Sequence, residues 1–325
     1  MKKLIAIEEH YLSETINRKV MELTGKRAFF APPVSGENYE TPAAFAAGRL
    51  AHMDQAGIDA ELLSYASAFP AQMDAEYAGK LCSELNDEMK EVMAICPERF
   101  SCLAVLPVSD PAAAAQELER TVRQCEFKGA VISGVYRGHR LEEPYYFPIY
   151  KKAVELDVPI FLHPGIVAEP IREYYYDGPW NPQVTFQFST MGIGWHYDIG
   201  IQIIRMILAG VFEKFPALKI ITGHWGEVVS YQMYRLDEMK PSVTGLKQSI
   251  SACLKQHVYV NPSGLMYPEQ FRFCLDTFGA DHILWGEDYP YRAPENTKSM
   301  LENYPLAQAE REKIAYRNAE KLLRL

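Results

Sequence analysis

Five residues of this chain combine a shared chemistry with a shared place. Glu8 and His10 stand in the run AIEEH, His163 in FLHPG, His224 in IITGHWGE and Asp288 in WGEDYP. Each closes a short apolar run that reads as a β-strand, so each is expected at the same end of its strand. Alternate side chains of a strand share a face, which puts Glu8 and His10 on one side and Glu9 on the other. Carboxylates and imidazoles together make a mixed oxygen and nitrogen donor set suited to Zn²⁺ or Mn²⁺. No cysteine joins the group, which disfavours a soft metal or an iron–sulfur centre. One polar strand end is ordinary; five at the same end of four strands are a signal.

The elements that must carry them follow from the spacing of apolar runs. Strands are expected at Leu4–Glu8, Ala60–Tyr65, Cys102–Pro107, Gly129–Gly134, Pro159–Pro164, Leu218–His224, Val258–Pro262 and Ile283–Asp288. Helical periodicity fills the intervals: Ala43–Ala56, Met73–Ala94, Pro111–Gln124, Pro148–Glu155, Asp198–Lys214, Glu227–Glu238, Tyr267–Phe278 and a closing helix over Pro305–Leu325. Eight strands, each followed by helix, predict an α/β chain folded as a (β/α)8 TIM barrel, whose active site lies at the C-terminal ends of its strands. Two insertions, 12–42 and 166–196, follow strands one and five and would rise from that same rim. The first contains the Pro- and Gly-rich AFFAPPVSGENYETP, unsuited to a regular helix, and the second the aromatic-rich REYYYDGPWNPQVTFQFSTMGIGW. No linker or repeat divides the chain, so 1–325 is read as a single domain. The fourth strand ends in AVISGV with no lysine at its tip. Without a bridging carbamylated lysine, one metal is expected rather than two.

Composition excludes several partners. The 325 residues are 48% hydrophobic, and 33 basic against 42 acidic residues give a formal net charge of −9. Such a balance offers no general attraction to nucleic acid or to an anionic membrane. The six cysteines form no CxxC pair and are too sparse for a disulfide scaffold. The start, MKKLIAIEEHYL, is too short in apolar residues and too acidic for a signal peptide, and no run is long enough to span a membrane. The expected location is the cytoplasm.

With these motifs in place the chain resembles the amidohydrolase superfamily, and within it the amidohydrolase-related group that includes aminocarboxymuconate semialdehyde decarboxylase. The resemblance is strongest to the gamma-resorcylate (2,6-dihydroxybenzoate) and 5-carboxyvanillate decarboxylases, and it runs through HMDQAGID, AVLPVSDP, FLHPG, LKIITGHWGE and ILWGEDYP. The opening HxH of the superfamily stands here as Glu8-x-His10, the form typical of the decarboxylase branch. The resemblance implies Glu8, His10, His163 and Asp288 as ligands of one divalent metal. It implies His224 and Glu227 as the branch's HxGE pair and Arg235 as the arginine that contacts substrate. Two departures bear on the substrate. Ser133 stands where these enzymes usually offer an asparagine, and a hydroxyl cannot supply an amide's separate donor and acceptor. His196, in GIGWHYDI, stands where an uncharged residue is expected.

The function so implied is non-oxidative decarboxylation of a hydroxylated aromatic or related unsaturated carboxylic acid. Asp288 would carry the proton, His224 and Glu227 would polarise a substrate oxygen, and Arg235, Ser133 and His196 would contact the small anionic substrate. The same donors also serve a hydrolase of a lactone or amide, in which the metal activates water. A non-catalytic binding protein on the same scaffold is the remote third reading. A homodimer or homotetramer is expected. His52, His139, His257 and His282 fall in helices or bottom-side connections and are read as structural or solvated.

Overall fold

A computed structural model describes residues 1–28, 38–65, 67–293 and 296–325. The apolar runs form strands β1 Ile5–Tyr11, β2 Ala60–Tyr65, β3 Phe100–Cys102, β4 Ala104–Val105, β5 Ala130–Ser133, β6 Ile160–His163, β7 Ile220–Thr222 and β8 Val258–Val260. All pair in parallel, β1-β2-β3 in one sheet and β4-β5-β6-β7-β8 in the other. Parallel strands packed between helices are buried on both faces, and all seven residues of β1 are buried, Glu8, Glu9 and His10 included.

The expected strand Cys102–Pro107 is divided at Leu103. Leu103 N–H donates to Leu63 O at 2.8 Å and Ala104 N–H to Gly129 O at 2.9 Å, so successive residues bond to different sheets. The expected last strand, Ile283–Asp288, is not a regular strand. It makes isolated parallel bridges, Ile283 to Val260, Trp285 to Ala6 and Tyr289 to Glu9, and so bonds to an edge of each sheet. The cause is local. The Glu9 side chain takes the N–H groups of Glu287 and Tyr289, and Asp288 adopts φ 65°, which breaks the ladder between them.

Helices separate the strands as their periodicity requires. The helix Pro42–Ala56 begins at Thr41, whose hydroxyl accepts from Ala44 N–H, and ends at Gly57 in the left-handed conformation. Its buried stripe is Phe45, Ala46, Arg49, Met53 and Ala56, an apolar face with an arginine at its centre. The insertion 12–42 departs from expectation, because a regular helix, Glu14–Thr24, occupies part of it. Ser13 caps its start and Gly25 its end, ahead of the Pro- and Gly-rich run. Most of that run, 29–37, lies outside the described residues. The segment 166–196 folds as short helices, Glu169–Tyr175 and Pro182–Gln187, and a π-helical turn, Phe188–Gly192. The closing helix carries its own π turn at Lys313–Arg317. Among the described residues no helix is long and apolar enough to cross a membrane.

Candidate metal centre

The strand ends converge as their register demands. Glu8, His10 and His163 bring one donor atom each to within 4.8 Å of one another. His163 Nε2 lies 3.8 Å from Glu8 Oε1, and His10 Nε2 lies 3.0 Å from Asp288 Oδ1. Asp288 Oδ2 in turn faces His224 Nε2 at 4.0 Å. Beside them His196, His224 and Glu227 form a second group of the same kind. Each far nitrogen is held from behind: His10 Nδ1 meets Ser64 Oγ at 3.0 Å, and His163 Nδ1–H donates to the carbonyl of Pro164 at 2.9 Å. The carbonyl sets the His163 tautomer and leaves Nε2 as a lone-pair donor, while the Ser64 hydroxyl, able to donate or accept, holds the His10 ring in place.

Whether these residues fit a cation can be judged on Glu8. Its Oε2 accepts from the Ser263 hydroxyl, whereas its Oε1 is buried with no hydrogen-bond partner among the described residues. A carboxylate oxygen buried without a donor is costly. A divalent ion among Glu8, His10, His163 and Asp288 would satisfy it, and oxygen with imidazole nitrogen is a donor set for zinc or manganese. Gly223 permits the approach, since a Cβ there would lie 2.5 Å from Glu8 Oε2 and from Ser263 Oγ.

The imidazoles differ in charge. Burial pulls His10 and His163 down to about 4, so both are neutral at pH 7. Burial acts in the same sense on His224, but the Glu227 carboxylate, by charge and by a 2.8 Å hydrogen bond to Nδ1, holds it up at about 9. Burial alone would raise Glu227; the charge of His224 and hydrogen bonds from His196 and His224 bring it down to about 2 instead. Burial pushes Asp288 up to about 7, against the lowering pull of His224 and Arg292. The arrangement therefore sets neutral nitrogen donors and carboxylates beside one imidazolium, with Asp288 between them.

His224 does not end a strand as expected. β7 stops at Thr222, and the chain then turns through positive φ at His224 (46°), Trp225 (58°), Gly226 (88°), Glu227 (52°) and Val228 (61°). Positive φ is uncommon for non-glycine residues, and such strain gathers at functional sites. Asp288 and Ser263 share it.

Of the remaining expected residues, Ser133 closes β5 in register with His163, and its Oγ is buried without a hydrogen-bond partner among the described residues. His196 reaches the cluster through Glu227, with Nδ1 2.7 Å from Glu227 Oε2 and its ring 4.2 Å from that of His224. Its Nε2 accepts the Trp195 indole N–H at 2.9 Å. Arg235 is not brought to the cluster within this chain. It lies on the helix Val229–Leu236 with its side chain 73% exposed, paired with Glu238 at 2.6 Å. His52 is structural, its Nε2 2.8 Å from Glu287 Oε2. Ser64, Ser263 and Asn261 support the site without having been expected. Ser263 holds the Glu8 carboxylate, accepts from His224 N–H at 2.7 Å, and donates its own N–H to Asn261 Oδ1 at 2.9 Å.

A sequence model of the amidohydrolase family matches residues 30–325. The chain is 32% identical to the decarboxylase orsB of Emericella nidulans, over 99% of this chain and 97% of that one. It is 31% identical to the gamma-resorcylate decarboxylase of a Polaromonas species, over 99% and 98% of the two chains. Among solved structures it is similar to 5-carboxyvanillate decarboxylase LigW2 from Novosphingobium aromaticivorans. That structure superposes with a TM-score of 0.86 at 27% identity, covering 99% of this chain and 97% of the other. It contains bound manganese and 3-methoxy-4-hydroxy-5-nitrobenzoic acid.

Proposed function

The chain belongs to the amidohydrolase family, and from that premise we propose that it is a metal-dependent, non-oxidative decarboxylase of a hydroxylated aromatic or related unsaturated carboxylic acid. Its two parallel sheets and the segment bridging them are read as one closed (β/α)8 barrel, a single domain over 1–325 with insertions at 12–42 and 166–196. Glu8, His10, His163 and Asp288 hold one divalent ion, Zn²⁺ or Mn²⁺. The observation that carries this reading is the buried Glu8 Oε1, without a hydrogen-bond partner among the described residues, grouped with His10 and His163 while Asp288 stands 3.0 Å from His10. When bound, the ion supplies positive charge beside the substrate's carboxylate or neighbouring hydroxyl.

The chain's own residues supply the rest. Cleaving the ring-to-carboxylate bond requires a proton on the ring carbon, so that the bond's electron pair restores the ring as CO₂ leaves. Asp288 carries that proton. Its Oδ1 faces His10 and its Oδ2 faces His224, whose protonated ring stands 4.0 Å away. His224 also donates a hydrogen bond to a substrate oxygen, and Glu227 keeps it charged for the task. His196, with both nitrogens engaged, bears on the substrate through Glu227. Ser133 offers its partnerless hydroxyl to a further substrate oxygen.

Exposed aromatic and aliphatic side chains in the second insertion, Tyr174 at 81% and Tyr175 at 66% among them, support a homodimer or homotetramer. Arg235 as the anion's anchor requires such a second copy, since in its own chain it is exposed and paired with Glu238. The cysteines are all free, as a cytoplasmic enzyme's would be.

The alternative, metal-assisted hydrolysis, is separated by isotopes. With Mn²⁺ supplied and a panel of hydroxybenzoates and lactones, product formed in D₂O should carry one deuterium on the carbon that held the carboxylate. Oxygen-18 from water in an acid product, without deuterium on carbon and without CO₂, would overturn decarboxylation.

A further inference from the structure

Behind the metal centre, on the opposite face of β1, lies a buried cluster of ionisable side chains with no part in the chemistry above. Arg49, Glu9, Glu61 and Glu287 are all essentially inaccessible, and His52 is 15% exposed. Arg49 Nη1 donates to Glu61 Oε2 at 2.9 Å, and His52 Nε2 lies 2.8 Å from Glu287 Oε2. The Thr297 hydroxyl donates to the other oxygen of Glu287. The His52 ring stacks on Tyr289 at 3.8 Å, and the Arg49 guanidinium covers the same tyrosine at 4.6 Å.

Stability alone is a poor reason for such a cluster, because apolar residues of the same shape often serve a core as well as a buried ion pair. Its hydrogen bonds to the main chain are more informative. Arg49 Nη2 donates to the backbone carbonyl of His10 at 2.7 Å. Glu9 accepts the N–H of Glu287 at 2.8 Å through Oε1 and the N–H of Tyr289 at 3.1 Å through Oε2. Those peptides flank Asp288, whose own N–H donates to Glu8 O at 2.8 Å. The cluster thus grips the main chain at His10 and on both sides of Asp288, the residues whose donor atoms stand 3.0 Å apart across the centre.

We propose that Arg49 and Glu9 are positioning residues for the metal centre, fixing the backbones of His10 and Asp288 from the far face of β1. The inference rests on those two residues being ligands. An arginine fork suits the task, because one guanidinium reaches Glu61 and the His10 carbonyl together while a lysine ammonium has no such fork. Each Glu9 oxygen accepts one of the two N–H groups; a glutamine in the same shape keeps one acceptor and turns an NH₂ toward the other.

The test is Mn²⁺ affinity of the metal-free protein by titration calorimetry, with its thermal midpoint as control. Arg49→Lys and Glu9→Gln are expected to keep the midpoint within a few degrees and to weaken Mn²⁺ binding about 10–100-fold, the usual cost of losing a group that orients a ligand. Glu61→Gln, which leaves the bond from Arg49 to His10 in place, should bind Mn²⁺ within about threefold of the parent. His10→Ala, which removes one of the two ligands the inference rests on, separates the two readings. If it binds Mn²⁺ as tightly as the parent, the ligand assignment fails and this inference with it. If it abolishes binding while Arg49→Lys and Glu9→Gln bind normally, the positioning role alone is overturned. A midpoint that falls in parallel with affinity in both variants makes the cluster a fold element and overturns it equally.

Discussion

Two kinds of imidazole share one site. His10 and the largely buried His163 are neutral, brought down to about 4, while the equally sheltered His224 is charged, held at about 9. Burial acts in the same direction on all of them, so the partner decides. His10 and His163 rest their Nδ1 atoms on a hydroxyl and a carbonyl, which cannot compensate a charge. His224 rests its Nδ1 on a carboxylate. One carboxylate converts a nitrogen suited to bind a cation into a nitrogen suited to give a proton, and the proposed mechanism draws on both.

Asp288 stands between the two kinds, so its removal tests the comparison hardest. Asp288→Asn should abolish detectable turnover, because an amide can neither carry the proton nor serve the metal as an anion. A positioned acid or base is typically worth about 10²–10⁴ in rate, and losing a ligand adds to that. Turnover within tenfold of the parent would remove Asp288 from both roles.

Much of this division was legible in the sequence, and the missing part has physical causes. The alternation of AIEEH correctly separates Glu8 and His10 from Glu9, because pleat alternation is a local property. The spacing of His224 and Glu227 marks a pair, but not the run of positive φ that forms it. That turn is held by tertiary contacts, such as the 2.8 Å bond from Trp225 N–H to Asn261 O and the Ser263 hydroxyl under His224 N–H. Ser263 is 255 residues from the Glu8 it holds, so no local pattern could name it. Arg49 was half legible. It falls on the stripe of Phe45 and Met53, where an arginine is out of place, yet its acceptors are 12 and 39 residues away. The expected final strand is interrupted because the distant Glu9 side chain takes the N–H groups on either side of Asp288, while Leu284 and Asp288 keep their bonds to Val260 and Glu8.

Glu227→Gln should make His224 resemble His10. The amide keeps a hydrogen-bonding partner but removes the charge, so burial wins and the imidazole becomes neutral. Turnover should fall about 10²-fold, the lower end for loss of a positioned acid. Stability carries a second signature. His224, raised to about 9, contributes fully below its unfolded value of 6.5 and loses that contribution as pH rises through 9. Glu227, lowered to about 2, contributes above its unfolded value of 4.5 and loses it as pH falls through 2. The thermal midpoint of the metal-free parent should therefore exceed that of the variant most between pH 4.5 and 6.5, with the gap closing toward pH 9. A gap independent of pH would mean that the pair is not ionic.

The smallest effect is expected where the same sequence spacing meets the opposite environment. His224 with Glu227 and Arg235 with Glu238 are both i,i+3 pairs, but the first is 12% and 0% exposed and the second 73% and 63%. An exposed ion pair is screened by water and salt and is worth about 0–1 kcal/mol, so Arg235→Ala should leave the thermal midpoint nearly unchanged. Its catalytic effect depends on assembly. If a second copy brings Arg235 to the anion, the variant loses a charge-assisted hydrogen bond of about 1.5 kcal/mol, and KM should rise about tenfold while kcat holds. Dilution below the assembly threshold should raise the parent's KM toward the variant's and leave the variant's own KM unmoved. A KM unchanged by Arg235→Ala in the assembled enzyme would leave this arginine a surface residue, its pair with Glu238 the solvated counterpart of the buried pair at His224.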